Sequence, residues 1–347
     1  APDGRLSVWD RIVETAKKEG KVVVSIPPSR KLRQTIEFAF TRRYGLAVEF
    51  VSARSSASIE KIISEVHAGI QYVDLHVGGA EPAVSRLLAE KALDPVPPYF
   101  VLPEVGDPGQ WWGGHVWVDN AGRFIYPFAA HQTVSLWCNP KEYAPAEFHS
   151  FDDLLNPSLR GKIGISDPRV PGPGRSLWSH MLSVKGEEYL ENLVAQRLFV
   201  TPDLRLLGER LSSGKIAVGL GVGHSELRRF IKAGLPVAPL PYPKEGLYVT
   251  AGYGHLAVIK TPPHPNAAKV FANWLLGRDG QEIFSRSMSA GSRRLDIATQ
   301  WLKDFGVIAS KDALTIDEFY RLENQSEDKL NKLAERGAAA ARRLLGS

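Results

Sequence analysis

Short apolar runs alternate with segments of helical periodicity through the first third of the chain. The runs KVVVSI (21–26), LAVEFVSA (46–53) and YVDLHVGG (72–79) are typical of buried strands. Each run is followed by a polar or glycine-rich loop and then by an amphipathic segment. The predicted helices cover about Lys31 to Tyr44, ending at Gly45, then 56–69 with Ser58 as N-cap, and 81–93. This order predicts a parallel sheet covered by helices.

The alternation breaks at residues 95–125, which are rich in proline, glycine and tryptophan, and a second α/β block follows. One or two strands are predicted over 124–140. Further strands are predicted at 161–167 and 215–223, and helices at 151–157, 176–184, 206–214 and 224–234. Residues 248–260 are strand-like, 266–287 are helical, and the chain beyond Arg294 has the pattern of a helical tail. We therefore predict two α/β lobes joined by an irregular crossover.

The connection GISDPRVPGPGRSLW (164–178) contains three prolines, three glycines and two arginines. A plain turn needs one or two such residues, so we predict a shaped loop over 166–176. Its arginines, Arg169 and Arg175, are then either solvated charges or donors directed at a negatively charged group.

Composition limits the possible partners. The chain has 347 residues, 44% of them hydrophobic, with a mean hydropathy of −0.16, which are ordinary globular values. The net charge is +5, but the cations are dispersed, so we expect no nucleic-acid partner. A single cysteine, Cys138, excludes an intrachain disulfide, and we expect it to be buried. The N-terminus has no basic-then-apolar leader, and we expect that a signal peptide has been removed.

The order of segments resembles that of a known family. KVVVSI, FAFTRRYGLAVEFV and YVDLHVGGAEPAVSRLLAEKAL, followed by FDDLLNPSLRGKIGISDP, LLGERLSSGKIAVGLGVG and HLAVIKTPPHPNAAKVFANWLLGRDGQEIF, resemble extracellular solute-binding proteins of ABC importers, in the class that includes ferric-iron-binding proteins. The resemblance covers about residues 8–295. It implies a type II periplasmic-binding-protein fold: two lobes, each a mostly parallel sheet covered by helices, joined by hinge strands that close the lobes over a ligand. We expect lobe 1 to comprise 1–125 and 250–295 and lobe 2 to comprise 126–249. Residues 296–347 would then form a helical tail packed on the lobes.

Metal ligands are largely missing from the positions where the ferric-binding relatives carry them. The resemblance places Ser29 at the position of their histidine, Gly79 near that of their glutamate, and Val222, Gly223 and His224 at that of their tyrosine pair. Only His224 remains as a candidate ligand, and a lone histidine is more often structural. We therefore expect no metal site and no cofactor, with a ferric-binding protein of non-standard ligand set as an alternative.

The loops that would face the cleft are instead rich in hydrogen-bond donors. Helix N-termini and arginine bind anions, so several such loops around one cleft predict an anionic ligand. Taken singly, these residues have plainer explanations, since serine before a helix is usually a cap and an exposed arginine is usually solvated. Two tyrosines near the return crossing either pack on the ligand or line the hinge. The candidate ligand-binding residues are Ser29, Arg30, Arg54, Ser55, Gly78, Gly79, Arg169, Gly174, Arg175, Ser176, Gly223, His224, Tyr248 and Tyr253.

Catalytic motifs are absent from the sequence: there is no HExxH, no GxSxG and no Walker loop. We therefore predict a protein without catalytic residues, the substrate-binding component of an ABC importer. It would capture an organic acid, a phosphonate or phosphate ester, or a metal chelate and present it to a membrane permease. We expect a monomer in the periplasm or outside the cell, either free or tethered by a lipid. The alternatives are a transferase on the same scaffold and a sensor that signals to a receptor kinase.

Overall fold

Two mixed sheets form the framework of the chain. The structure, a computed structural model, describes residues 6–52 and 56–346. The strands are β1 Lys21–Ile26, β2 Ala47–Ser52, β3 Leu75–Gly78, β4 Leu93–Asp94, β5 Ile125–Pro127, β6 His131–Thr133, β7 Leu136–Cys138, β8 Ile163–Ser166, β9 Phe199–Thr201, β10 Val218–Leu220, β11 Ala238–Pro239, β12 His255–Ile259 and β13 Val307–Ala309.

Helices cover both faces of these sheets. They are α1 Val8–Glu19, α2 Arg30–Tyr44, α3 Ser56–Ala68, α4 Ala80–Pro82, α5 Pro103–Gly106, α6 Pro173–Lys185, α7 Glu187–Ala195, α8 Leu204–Ser212, α9 His224–Lys232, α10 Pro265–Leu276, α11 Arg278–Met288, α12 Ser310–Ala313, α13 Ile316–Leu322, α14 Glu327–Lys329 and α15 Glu335–Leu345. Two π-helical turns continue α4 and α14, at Ala83–Leu88 and Leu330–Ala334.

The first sheet has the order β2-β1-β3-β12-β4, with β5 also paired to β12. Strands β1, β2 and β3 are parallel, and β12 is antiparallel to its neighbours. Successive side chains of β1 face opposite sides, so Val22 and Val24 join one buried cluster and Val23 joins another. Helix α2 packs on the side of Val22 and Val24, because its apolar residues Leu32, Ile36 and Phe40 recur at helical spacing.

The second sheet has the order β11-β7-β10-β8-β9, and β8, β9 and β10 are parallel. Its core is a cluster around Trp178 and Met181 of α6 together with strand residues such as Ile163 and Val218. Parallel strands of a sheet direct their carboxyl ends to one edge, where open α/β sheets bind ligands. Loop 167–172 and the loop after β10 therefore leave the second sheet at the same edge.

The chain passes between the lobes twice. Residues 125–133 leave the first sheet through β5 and continue into β6, and His131 and Thr250 exchange backbone hydrogen bonds of 2.8 and 2.9 Å. Strand β6 is also paired with β13 of the C-terminal tail. These adjacent segments form the connection between the lobes; the domain boundaries given above stay a prediction.

Several local predictions were wrong. Ser58 is the third residue of α3, not its N-cap, because the helix begins at Ser56. The run 124–140 forms three short strands rather than one or two. Helix α6 begins at Pro173, so Gly174, Arg175 and Ser176 belong to its first turn rather than to the preceding loop. Proline is favoured in the first helical turn because its missing N–H would have no partner there.

The remaining predictions concern the cysteine and the membrane. Cys138 is buried and unpaired, and burial raises the pKa of its thiol to about 11. Over residues 6–52 and 56–346 we find no helix with the length and apolar character that a membrane span requires.

Candidate ligand site between the lobes

The first turn of α6 lies against the ends of two strands of the second sheet. A Cβ on Gly174 would lie 2.0 Å from the carbonyl oxygen of Ser166, and one on Gly221 would lie 2.7 Å from the Cα of Gly174. Glycine at both positions lets the helix begin next to β8 and β10. Pro173 has no N–H and Ser176 N–H donates to the carbonyl oxygen of Gly172 at 3.1 Å, so the N–H groups without an intrahelical partner at this start are those of Gly174 and Arg175, next to the carboxyl edge of the sheet.

Arg175 reaches from this helix start to the opposite lobe. Its side chain is only 15% exposed, and its Nη1 lies 3.8 Å from Oε1 of Glu81 in α4. The guanidinium also donates to the carbonyl oxygens of Pro168, through Nε at 3.3 Å, and Arg169. Loop 167–172 thus holds the guanidinium in place while one edge remains directed at Glu81.

Arg169 is held differently. Its Nε and Nη2 form two hydrogen bonds to the Asp167 carboxylate, at 2.9 and 2.8 Å, and its Nη1 donates to the carbonyl oxygen of Gly346. This arginine lowers the pKa of the Asp167 carboxyl below its usual range. Because Asp167 balances its charge, Arg169 is a weaker candidate for binding an anion than Arg175.

A cavity of about 410 Å³ opens beside Arg175 and Glu81. Helix α6 forms one wall, with Ser176, Ser179, His180 and Ser183. The C-terminal tail forms the other wall. Among the lining residues, only Arg175 and Ser176 were predicted from the sequence; those not predicted include Glu81, His180, Glu245, Arg321, Asn324 and Lys329. Glu81 follows a strand-end loop and could have been found from its position, whereas residues of the tail gave no such signal.

Most charged groups in the cavity already have protein partners. The Glu245 carboxylate accepts from Ser150 Oγ at 2.8 Å and lies 3.4 Å from Lys185 Nζ. Glu323 lies 3.2 Å from Lys329 Nζ, which also donates to three backbone carbonyls. The exception is Arg321, which is exposed and has no carboxylate within 4 Å among residues 6–52 and 56–346.

His180 contributes a neutral ring to the same wall. Its Nε2 lies 2.8 Å from the carbonyl oxygen of Gly246, and burial lowers its pKa. The neighbouring Tyr248 is buried against His180 and lies beside the hydroxyls of Ser135 and Ser176, and burial raises its pKa to about 12. Both rings therefore remain uncharged near neutral pH.

The first lobe presents smaller groups. Ser29 caps α2 by accepting from Leu32 N–H at 3.2 Å, and Arg30 follows it, exposed. Gly78 is needed next to His76, because a Cβ there would lie 2.3 Å from His76 Nε2. Gly79 precedes α4, and a Cβ on it would lie 3.9 Å from the carbonyl oxygen of Gly252.

The remaining candidates are dispersed. Gly223 precedes α9 and donates its N–H to Glu226 at 3.1 Å. The next residue, His224, lies between the rings of Trp137 and Phe305, and burial lowers its pKa. Tyr253 is half exposed. Arg54 and Ser55 lie outside the described residues.

We searched residues 6–52 and 56–346 for groups of three or more His, Cys, Asp or Glu side chains with metal-binding geometry and found none. Gly174, Arg175, Ser176 and Glu81 form the candidate ligand-binding cluster, and its groups offer hydrogen bonds and charge.

The family and the fold can be compared with those of known proteins. The profile of a family described as bacterial extracellular solute-binding protein matches residues 15–287. A Haemophilus influenzae protein described as uncharacterized is 23% identical over 283 residues, which cover 78% of this chain and 76% of that protein.

Solved structures show the same fold at low sequence identity. FutA of Trichodesmium, solved with iron and citrate, is 16% identical with a TM-score of 0.71, covering 94% of this chain and 99% of that chain. Iron-bound HitA of Pseudomonas aeruginosa is 17% identical with a TM-score of 0.65, and AfuA of Actinobacillus pleuropneumoniae with fructose-6-phosphate is 18% identical with a TM-score of 0.61. The match to each of these two structures covers 93% of this chain and 99% of the solved chain. The predicted two-lobed type II fold is confirmed.

Proposed function

Because the chain belongs to the family of bacterial extracellular solute-binding proteins, we propose that it is the substrate-binding component of an ABC importer and that it captures a small anionic solute between its lobes. Family membership confirms the predicted resemblance and the predicted location in the periplasm or outside the cell. The partner that receives the solute is then a membrane permease.

The proposal that the ligand is an anion rests on the placement of Arg175. Its guanidinium is largely buried, fixed by two loop carbonyls, and it lies at a helix N-terminus where the lobes meet. A carboxylate or phosphate between the lobes would accept from the arginine and from the N–H groups of the first turn of α6. The 3.8 Å separation from Glu81 is long for an ion pair, so a ligand oxygen could replace this contact.

The size of the cavity favours a small molecule. A volume of about 410 Å³ lies in the range of sites for small ligands. FutA was solved with iron and citrate, that is, with a metal and an organic acid. AfuA was solved with fructose-6-phosphate, a phosphate ester. We extend these classes to this chain as candidates: an organic acid, a phosphonate or phosphate ester, or a metal chelate.

Closure of the lobes would couple binding to recognition by the permease. A ligand that contacts Arg175 on one lobe and the loop at Gly79 on the other stabilises the closed arrangement over the open one. No bond of the solute is made or broken in this scheme, and we propose that it leaves the protein unchanged.

The test is a thermal-shift screen of the purified protein against organic acids, phosphate esters, ferric citrate, neutral sugars and amino acids. A ligand at about 100 times its Kd adds about 2.7 kcal/mol of stability. We expect stabilisation by one class of anion and recovery of that anion unchanged by mass spectrometry. A response to neutral sugars alone would contradict the anionic ligand, and turnover of the bound compound would favour the transferase alternative.

A further inference from the structure

Helix α2 carries most of the net charge of the protein. It has five cations, Arg30, Lys31, Arg33, Arg42 and Arg43, and one anion, Glu37, which leaves +4 on a helix of 15 residues. The whole chain has a net charge of +5. The cations elsewhere in the chain are almost balanced by acidic residues, so the surroundings of α2 are locally positive, with Lys31 and Arg42 on its outer face.

The patch is not neutralised by its surroundings. Arg43 pairs with Asp279 of α11 at 3.0 Å, whereas Lys31, Arg33 and Arg42 have no carboxylate within 4 Å in the described part of the chain. The nearby acid Glu282 is paired with Arg286 at 2.6 Å. Lys31 and Arg42 are exposed, so their charges face solvent.

An exposed aromatic side chain lies between these cations. Phe38 is 66% exposed, and the guanidinium of Arg42 lies 5.9 Å from the centre of its ring. Phe38 and Arg42 are four residues apart and Lys31 is seven residues before Phe38, so all three lie on one face of the helix. A shallow groove between α2 and α11 continues this surface over Ala39 and Ile283.

We propose that this face of α2 binds the anionic surface of a lipid bilayer, a property separate from solute binding. A helix face with long cationic side chains around an aromatic ring suits the boundary between headgroups and acyl chains, and anionic headgroups attract clustered Lys and Arg. Lys31 and Arg42, the two cations on this face, make no hydrogen bond from their charged ends within the described residues, so they can adapt to mobile phosphates rather than to one fixed set of partners.

The consequence concerns where the protein works. A protein of an extracellular family whose partner is a membrane permease would spend more time at the bilayer, with α2 turned toward it.

The experiment is co-sedimentation with vesicles of phosphatidylglycerol and phosphatidylcholine in equal amounts, and of phosphatidylcholine alone, at low ionic strength. We expect binding to the anionic vesicles only, and its loss at about 0.5 M salt because exposed charges are then screened. The double variant K31E/R42E should bind at least ~10-fold more weakly. F38S should bind several-fold more weakly and retain the salt dependence.

The matched control is R228E/R229E, which changes the net charge by the same amount through two exposed arginines of α9 in the second lobe. It should bind like the unaltered protein, and melting curves must show that each variant is folded. Equal losses in both double variants would mean that net charge rather than α2 decides binding, which overturns the proposal. Equal binding to neutral vesicles would overturn it too. Binding to native bacterial membranes but not to protein-free vesicles would instead identify a protein partner for α2. All of these readouts are independent of whether the protein binds an anionic solute.

Discussion

Three histidines lie buried near the connection between the lobes. His76 Nδ1 lies 3.1 Å from Ser25 Oγ, His255 Nδ1 lies 3.0 Å from the carbonyl oxygen of Gly78, and His131 Nδ1 accepts from Gly291 N–H at 3.2 Å. The pKa of each ring is lowered to about 4, mainly by burial and, for His76 and His131, also by the nearby His255. The folded protein therefore holds all three rings neutral at neutral pH.

This arrangement predicts a loss of stability in mild acid. In the unfolded chain these rings take up protons near pH 6.5, whereas in the folded protein they do so only near pH 4. Their contribution is present above pH 6.5 and is lost as the pH falls toward 4, by about 2 kcal/mol for each ring between pH 7.5 and 5. The difference between the free energies of unfolding in urea at pH 7.5 and pH 5 measures this loss.

The control for this prediction is an exposed histidine. H76N should reduce the pH dependence between 7.5 and 5 by about a third, since it removes one of the three rings, whereas H149N should leave it as it is, because His149 is exposed in the folded protein. If unfolding free energies at pH 7.5 and 5 were equal, the rings would not be buried as the structure places them.

Arg169 and Arg175 illustrate what the sequence leaves open at the residue scale. Both follow a strand, and both were candidates on equal terms. The structure distinguishes them, because Asp167 holds Arg169 with two hydrogen bonds whereas Arg175 reaches toward Glu81. These pairings depend on the direction of each side chain in the folded protein, and that direction cannot be predicted from residue type and spacing.

At the scale of elements, the C-terminal tail is the part that the sequence described least. It contains helices α12 to α15 and the short strand β13; residues 323–326 interrupt the helices, and the Glu323 carboxylate accepts from the N–H groups of Gln325 and Ser326. Helix α15 then packs on α6, with Gly337 against Ser179 and Ala341 in the core of the second lobe. The small residues of its GAAAA segment allow this close packing.

We predict that the docking of α15 contributes strongly to stability. Replacing Ala341, which is fully buried, with aspartate would bury an unpaired charge and should lower the free energy of unfolding by about 3 kcal/mol or more. The matched variant A339D places the same charge on the exposed face of the same helix and should change it by less than ~0.5 kcal/mol. Chemical denaturation measures both. Similar effects of the two variants would mean that α15 is not packed on α6.

At the scale of the molecule, most of the fold could be predicted from the order of strands and helices along the sequence. Alternating apolar runs and amphipathic segments specify sheets with helices on both faces, since each face must be covered. What periodicity could not specify is the way distant segments meet: β13 on β6, Gln325 accepting from Ala251 N–H at 2.7 Å, and Asn120 donating to Glu327 at 2.7 Å. Through these contacts the tail touches both lobes and forms one wall of the cavity.

The central claim is that a small anion binds between the lobes at Arg175. Calorimetric titration with the anion that stabilises the protein most tests it directly, comparing the unaltered protein with R175A and with R205A, which removes an exposed arginine of the second lobe. Loss of a charge-assisted hydrogen bond should weaken binding by R175A about 10- to 100-fold, with R205A unaffected. If folded R175A bound the anion as tightly as the unaltered protein, the ligand site would lie elsewhere.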